Sequence, residues 1–213
     1  MNSNTRNTLI IVVAIFGAFV LGYYLSKNPA QAQKATVDNS MASHHGGGTA
    51  VAVNSEQLNS LVGKPLPDLQ LADKNGNIVN TASLKGKAVV LFFNEGLMCY
   101  PACWNQMAQF GSDSRFNNNE IQAYSVLVDP AKDWQRAIDK MPELAKASTL
   151  FDAGASVSKN LGLLTLPSSM HRGSLPGHTY IVIDKEGIVR YVKDDPNMAI
   201  ANDLLINEIA KFN

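Results

Sequence analysis

Apolar residues are distributed in three different ways along this chain. Leu9 to Leu25 is an uncharged stretch of Ile, Val, Phe, Leu and Ala with two Gly and two Tyr, closed by Lys27. Ser26 to about Asn54 is rich in Asn, Gln, Ser, Ala and Gly and has no sustained apolar period. From Ser55 onward, short apolar runs alternate with segments of helical spacing. Lys87 to Phe93 is, after its leading Lys, continuously apolar and rich in β-branched and aromatic residues, which predicts a strand buried on both faces. Trp104, Met107, Ala108 and Phe110 follow at roughly helical spacing, with Pro101 suited to a first helical turn. Ile121 to Val128 predicts a second buried strand. Asp129-Pro130 then opens a helix reaching about Lys140. Asn75-Gly76, between Leu69-Gln70-Leu71 and Ile78-Val79, marks a hairpin, and Asp184-Lys185-Glu186-Gly187 marks another between Tyr180 to Ile183 and Ile188 to Tyr191. Ser148 to Phe151 reads as a short strand and Ala155 to Leu161 as a short helix. Met198 to Phe212 predicts a closing amphipathic helix with Met198, Leu205, Ile209 and Phe212 on one face.

These patterns divide the chain into an N-terminal anchor or signal peptide over 1–25, a flexible linker over 26–54 and one α/β domain over 55–213. At the helical rise, Leu9 to Leu25 spans about 25 Å, a little short of a ~30 Å hydrocarbon core, with Tyr23 and Tyr24 placed as interfacial anchors. Ala30-Gln31-Ala32 offers a small-x-small cleavage site, but the apolar stretch is longer than the usual signal core of about 7 to 15 residues. A retained single-pass helix in the lipid bilayer is therefore expected, with the C-terminal domain extracytoplasmic. In the linker, Met41, His44 and His45 precede three glycines, a composition that sometimes binds metal and more often is only polar linker.

The chain uses cysteine twice, at Cys99 and Cys103, both in the run that follows the predicted strand ending at Phe93. A close pair at a strand-to-helix junction points to redox or metal chemistry rather than to inert core thiols. The pattern puts Cys99 at or just before a helix N-terminus, where unpaired amides and the helix dipole favour a thiolate, with Cys103 a turn deeper. On a regular helix, β-carbons four residues apart are about 5 to 6 Å apart. A disulfide needs about 3.8 Å. Cycling between dithiol and disulfide, with Cys99 attacking and Cys103 resolving, thus needs a locally irregular first turn. Two thiolates at this spacing also suit a soft metal if further ligands arrive from elsewhere.

The order of elements, with cysteines after a central strand and a late hairpin, resembles the thioredoxin-like fold: a central mixed sheet flanked by helices, here preceded by one transmembrane helix. Gly63-Lys64-Pro65-Leu66-Pro67-Asp68, the strand to Phe93 and Thr179 to Arg190 are similar to segments of the alkyl hydroperoxide reductase and thiol-specific antioxidant (peroxiredoxin-like) redoxins. The resemblance implies an antioxidant thiol oxidoreductase that reduces peroxides or exchanges disulfides through Cys99 and Cys103, without a cofactor, and is reset by a thiol electron donor. There are departures. Phe92 and Gly96 occupy the positions where peroxiredoxins carry a Pro and a Thr or Ser, and Gly177 stands where they place an Arg. Arg172 and His178 are candidate substitutes, Arg172 more simply an exposed loop residue.

A second resemblance is to Sco-type copper chaperones, which are membrane-anchored and thioredoxin-like and bind copper through a Cys-x-x-x-Cys pair and a later His. It rests on the cysteine spacing and on Val126 to Asp133, and it implies copper held by Cys99, Cys103 and His178. The loop Ser168 to His178, with Met170 and His171, supplies further soft ligands. Tyr100 and Trp104 are read as core or pocket-rim residues, and Asp194 and Asp195 as solvated or capping groups in a turn. Eighteen Lys plus Arg balance eighteen Asp plus Glu, so no basic excess recommends nucleic acid as a partner.

Overall fold

The computed structural model describes residues 55–213; the expected membrane span and linker lie outside the described residues. Among the described residues, no helix is long and apolar enough to cross a membrane. The chain runs α1 (Ser55–Asn59), β1 (Gln70–Ala72), β2 (Ile78–Asn80), β3 (Ala88–Asn94), α2 (Ala102–Ser112), β4 (Ile121–Leu127), α3 (Ala131–Lys140), β5 (Thr149–Phe151), α4 (Ser156–Asn160), β6 (Thr179–Ile183), β7 (Val189–Asp194) and α5 (Asn202–Ile209). The strands form one mixed sheet in the order β2-β1-β5-β4-β3-β6-β7. This is the architecture the resemblance implies.

β3 is the axis of the sheet. It pairs parallel with β4, Ala88 opposite Ile121 and Asn94 opposite Leu127, and antiparallel with β6, Val89 opposite Ile183. Every residue of β3 is buried, as its unbroken apolar run requires. Strand alternation sends its side chains to two separate cores. Ala88, Val90 and Phe92 pack with Cys103, Trp104, Met107 and Phe110 of α2, Trp134 and Ala137 of α3, and Leu205 and Ile209 of α5. Val89, Leu91 and Phe93 face the other way, onto Leu58, Leu71, Val157, Leu163 and Leu166. The cysteines therefore belong to the first of the two cores.

Both hairpins form where the turn residues place them. Asp73 accepts from the backbone of Asn75 and Asn77, and Asp184 from that of Glu186 and Ile188, each turn ending in a glycine of positive φ. The closing helix differs from expectation. It begins at Asn202 rather than near Met198, and Met198 sits at φ 49. The preceding segment is held by side chains instead: Asp195 accepts from Ala199 N, and Gln106 accepts from Ala201 N at 2.7 Å. Leu205 and Ile209 are buried as predicted, while Met198 and Phe212 only edge the core.

Candidate redox and metal site

At the end of β3 the chain turns through a short 3-10 segment, Gly96–Met98, before α2 starts. Asn94 Oδ1 accepts from Gly96 N at 2.9 Å, and Gly96, at φ 56, gives its carbonyl to Trp104 Nε1 at 2.9 Å and to Cys99 N at 3.2 Å. Leu97 N is held by Asp129 Oδ2 at 3.0 Å, and burial raises the Asp129 carboxyl above its usual range. A β-carbon on residue 96 would collide with that carboxylate, so the position that holds Thr or Ser in peroxiredoxins is confined here to glycine.

Cys99 closes the 3-10 turn, and Pro101 takes the N-cap position of α2. The helix thus starts at Ala102, where the sequence suggests. Cys99 lies just before it, as expected, and Cys103 is its second residue, one turn on from Cys99, whose carbonyl accepts from Cys103 N at 3.0 Å. That irregular entry solves the spacing problem: the two residues form a disulfide, with Cα atoms 5.4 Å apart. The pair is inaccessible, Cys99 being 2% exposed and Cys103 0%. Trp104 is buried beside it, and Tyr100, 68% exposed, packs edge-on against the Trp104 ring. A cavity of about 610 Å³ is lined by Leu97, Met98, Tyr100, Trp104, Asp129, Arg136 and Lys140.

His178 comes to the pair from the other side of the sequence. It immediately precedes β6, is fully buried, and places Nδ1 3.5 Å from Cys103 Sγ. The ligand atoms of Cys99, Cys103 and His178 all lie within 4.8 Å of one another. Its Nε2 is 2.7 Å from Tyr180 Oη, which donates to Gln106 Oε1 at 3.1 Å, and Gln106 Nε2 in turn donates to Asn202 Oδ1 at 2.8 Å. Phe92 stacks on Tyr180 and meets the His178 ring edge-on. Burial disfavours the charged imidazole and pulls His178 down to about 4, against the opposing influence of the Asp195 carboxylate. The same burial pushes the Tyr180 hydroxyl well above its normal range.

The rest of the loop turns away. Glu95 is buried, and its carboxylate accepts from Met170 N at 2.7 Å and His171 N at 3.0 Å and meets His171 Nδ1 at 2.9 Å. Asp194 takes Ser168 N, Ser168 Oγ and Thr179 Oγ1. Asp194 is therefore a structural acceptor rather than a solvated turn residue, while Asp195, buried, caps the segment before α5 by accepting from Ala199 N at 3.2 Å, its own N–H donating to the His178 carbonyl at 2.9 Å. Arg172 stays exposed and bonds only the Pro167 carbonyl, so it is no substitute for the missing arginine. Gly177 explains why that arginine is absent: a β-carbon there would lie 2.0 Å from Ser168 Oγ and 2.4 Å from Ser169 N. Of the possible soft ligands in the loop, only His178 reaches the cysteines.

Gln106, Tyr180 and Glu95 were not singled out by sequence. Gln106 had a signal, since it stands three residues after Cys103, on the helix face that otherwise carries Met107 and Phe110.

Residues 62–192 match the AhpC/TSA family. The chain is 32% identical over 132 residues to a chloroplastic peroxiredoxin Q of Triticum aestivum, covering 59% of this chain and 55% of that protein. It is 31% identical over 136 residues to a chloroplastic peroxiredoxin Q of Sedum lineare, covering 61% of this chain and 67% of that protein. The match thus spans little more than half the length of the wheat relative. Among solved structures, peroxidoxin BcpB from Mycobacterium tuberculosis superposes with a TM-score of 0.58 at 20% identity, over 71% of this chain and 97% of that one. AhpC of Enterococcus faecalis gives 0.60 at 16% identity, over 71% and 91%. These structural likenesses establish the fold.

Proposed function

The chain belongs to the AhpC/TSA family, and on that footing we propose that Cys99 and Cys103 are the redox centre of a peroxiredoxin-like thiol oxidoreductase that reduces peroxides or exchanges disulfides. One observation carries this reading: the chain's two cysteines are joined in a disulfide at the carboxyl end of the central strand, where an irregular turn brings them into bonding range. In the reduced enzyme Cys99, next to the N-terminus of α2, is the attacking thiolate. A peroxide oxidises it to a sulfenic acid and leaves as water or an alcohol. Cys103 condenses with the sulfenic acid to give the disulfide and water, and a thiol donor restores both thiols. The peroxiredoxin Q relatives support peroxide as the oxidant.

The experiment follows peroxide and small-disulfide turnover in single variants. Cys99→Ser should abolish both, and Cys103→Ser should hold Cys99 as a trappable sulfenic acid or mixed disulfide. Normal turnover by both variants would defeat the reading. We further propose that the domain is tethered outside the cytoplasm by Leu9 to Leu25, on the strength of that uncharged length. Protease added to intact cells should digest the domain, and protection of it would reverse the orientation.

A second reading is favoured by the convergence of His178 on the dithiol. Two thiolates and one imidazole within 4.8 Å are a donor set suited to Cu(I), with Cys99, Cys103 and His178 as ligands. Stoichiometric Cu(I) binding by the reduced chain, lost in His178→Ala and accompanied by no peroxide or disulfide turnover, would make copper carriage the function.

A further inference from the structure

The hydrogen bonds behind His178 fix which of its nitrogens carries the proton. Ala201 N–H is a backbone donor and can only meet an acceptor, so the Gln106 atom 2.7 Å from it is the carbonyl oxygen. Tyr180 Oη approaches that same oxygen at 3.1 Å and must donate to it. Its hydroxyl hydrogen being committed, Tyr180 can only accept from His178 Nε2, 2.7 Å away. The Gln106 amide is set independently from its other end. Its Nε2 donates to Asn202 Oδ1, and Asn202 Nδ2 donates to the Asp113 carboxylate at 2.9 Å. A neutral imidazole protonated at Nε2 presents a bare lone pair at Nδ1, and that lone pair faces Cys103 Sγ at 3.5 Å. All of these side chains but Asp113 belong to the buried interior, so water does not compete for the assignment.

We propose that His178 is a catalytic base of the ring-closing half-reaction, taking the proton of Cys103 as its sulfur attacks Cys99 and passing it to the group that leaves, with Tyr180 as the residue that positions it. The inference rests on the reading above in which Cys99 is modified first. When Cys99 is a sulfenic acid, the Cys103 sulfur forms the S–S bond and the Cys99 S–O bond breaks with its electron pair going to oxygen. The proton released from Cys103 reaches that oxygen through Nδ1, and water departs. Cys103 is oxidised and Cys99 reduced, so no further oxidant is required. When Cys99 instead holds a mixed disulfide, the bond from Cys99 to the bound sulfur breaks with its electron pair going to the departing thiolate. An alkyl thiolate then takes the proton from Nδ1, whereas weakly basic thionitrobenzoate leaves as the anion and Nδ1 returns its proton to solvent. In the reduced state the S–H of Cys103 rests in a hydrogen bond to Nδ1, which keeps it a thiol and leaves the first attack to Cys99.

The test uses the full-length reduced chain and 5,5′-dithiobis(2-nitrobenzoate). With two cysteines in the chain, the first thionitrobenzoate is released at a rate set by reagent concentration, and the second by intramolecular closure. His178→Ala should leave the first phase unchanged and slow the second roughly a hundredfold, the lower range for loss of a general base. Tyr180→Phe should slow the second phase by less, about tenfold. In that variant the 15N shifts of the His178 ring should change from a single Nε2–H tautomer to a mixture, which a merely structural loss would not produce. An unchanged second phase in His178→Ala, or an equal slowing of both phases, would overturn the proposal without removing Cys99 as the residue modified first. A native chain that shows the two-phase split but consumes no hydrogen peroxide would sink the peroxide reading and retain the role of His178.

Discussion

His171 and His178 lie in one loop and look alike in sequence, yet the fold gives them opposite characters. His171 is 40% exposed by side chain and spends its Nδ1 on the Glu95 carboxylate, as part of a clasp that fixes the outer half of the loop. His178 is fully buried, kept neutral, and turns its Nδ1 to sulfur. Gly177 stands between the halves, with Ser168 and Ser169 packed so close that the chain can reverse only without a side chain. The lesson is that reactivity here is set by what holds the second nitrogen and by access to water.

The contrast is sharpest as a function of pH. A histidine at about 4 in the folded oxidised protein and near 6.5 when unfolded binds its proton preferentially in the unfolded chain. Its stabilising contribution is complete above pH 6.5 and is lost as pH falls toward 4. The full shift is on the order of 3 kcal/mol. Denaturant midpoints measured across that window should fall with acid, and the fall should shrink in His178→Asn but persist in His171→Asn.

Next in size is the divider between the halves. Gly177→Ala forces the 168–169 backbone to move and should destabilise the domain by about 2 kcal/mol, within the range for overpacked sites. Urea unfolding of the oxidised chain would read it, and a change below about 0.5 kcal/mol would show that the reversal is slack. Removing only the Tyr180 hydroxyl strips the inner half of its hydrogen-bond partner and should cost about 1 kcal/mol, since buried His178 Nε2–H is left without an acceptor. The smallest effect belongs to the outer clasp. His171→Ala should change stability by less than about 1 kcal/mol because the pair is partly solvated, and it should not alter the rate of disulfide closure.

Much of the scaffold was legible because it follows from simple periodicity. The run to Phe93 is β3 within a residue at each end, and the Asn75-Gly76 and Asp184-to-Gly187 turns join the strands they were expected to join. The cysteine pair was legible for a different reason, its isolation in composition. The start of α5 was not, because Met198 extends the apolar period while Gln106 and Asp195, distant in sequence, capture the backbone that would have continued the helix. The 3-10 turn before α2, tied together by the Gly96 carbonyl and Trp104 Nε1, was hidden in the same way. His178 was named from sequence only through a resemblance. Nothing local distinguishes it from His171. Its approach to Cys103 depends on β6 lying beside β3, a pairing that periodicity does not encode.

The concealment of the disulfide bears on how fast the protein can be recycled. A reducing thiolate must approach one sulfur along the S–S axis, and a pair exposed by 2% and 0% gives it no line of approach. Reduction of the pair therefore requires a local opening that brings one sulfur to the surface. The rate of reduction should then rise with donor concentration at low levels and level off at a ceiling that is the same for every donor, large or small. The fold would act as a timer that decides how long each oxidation event is remembered.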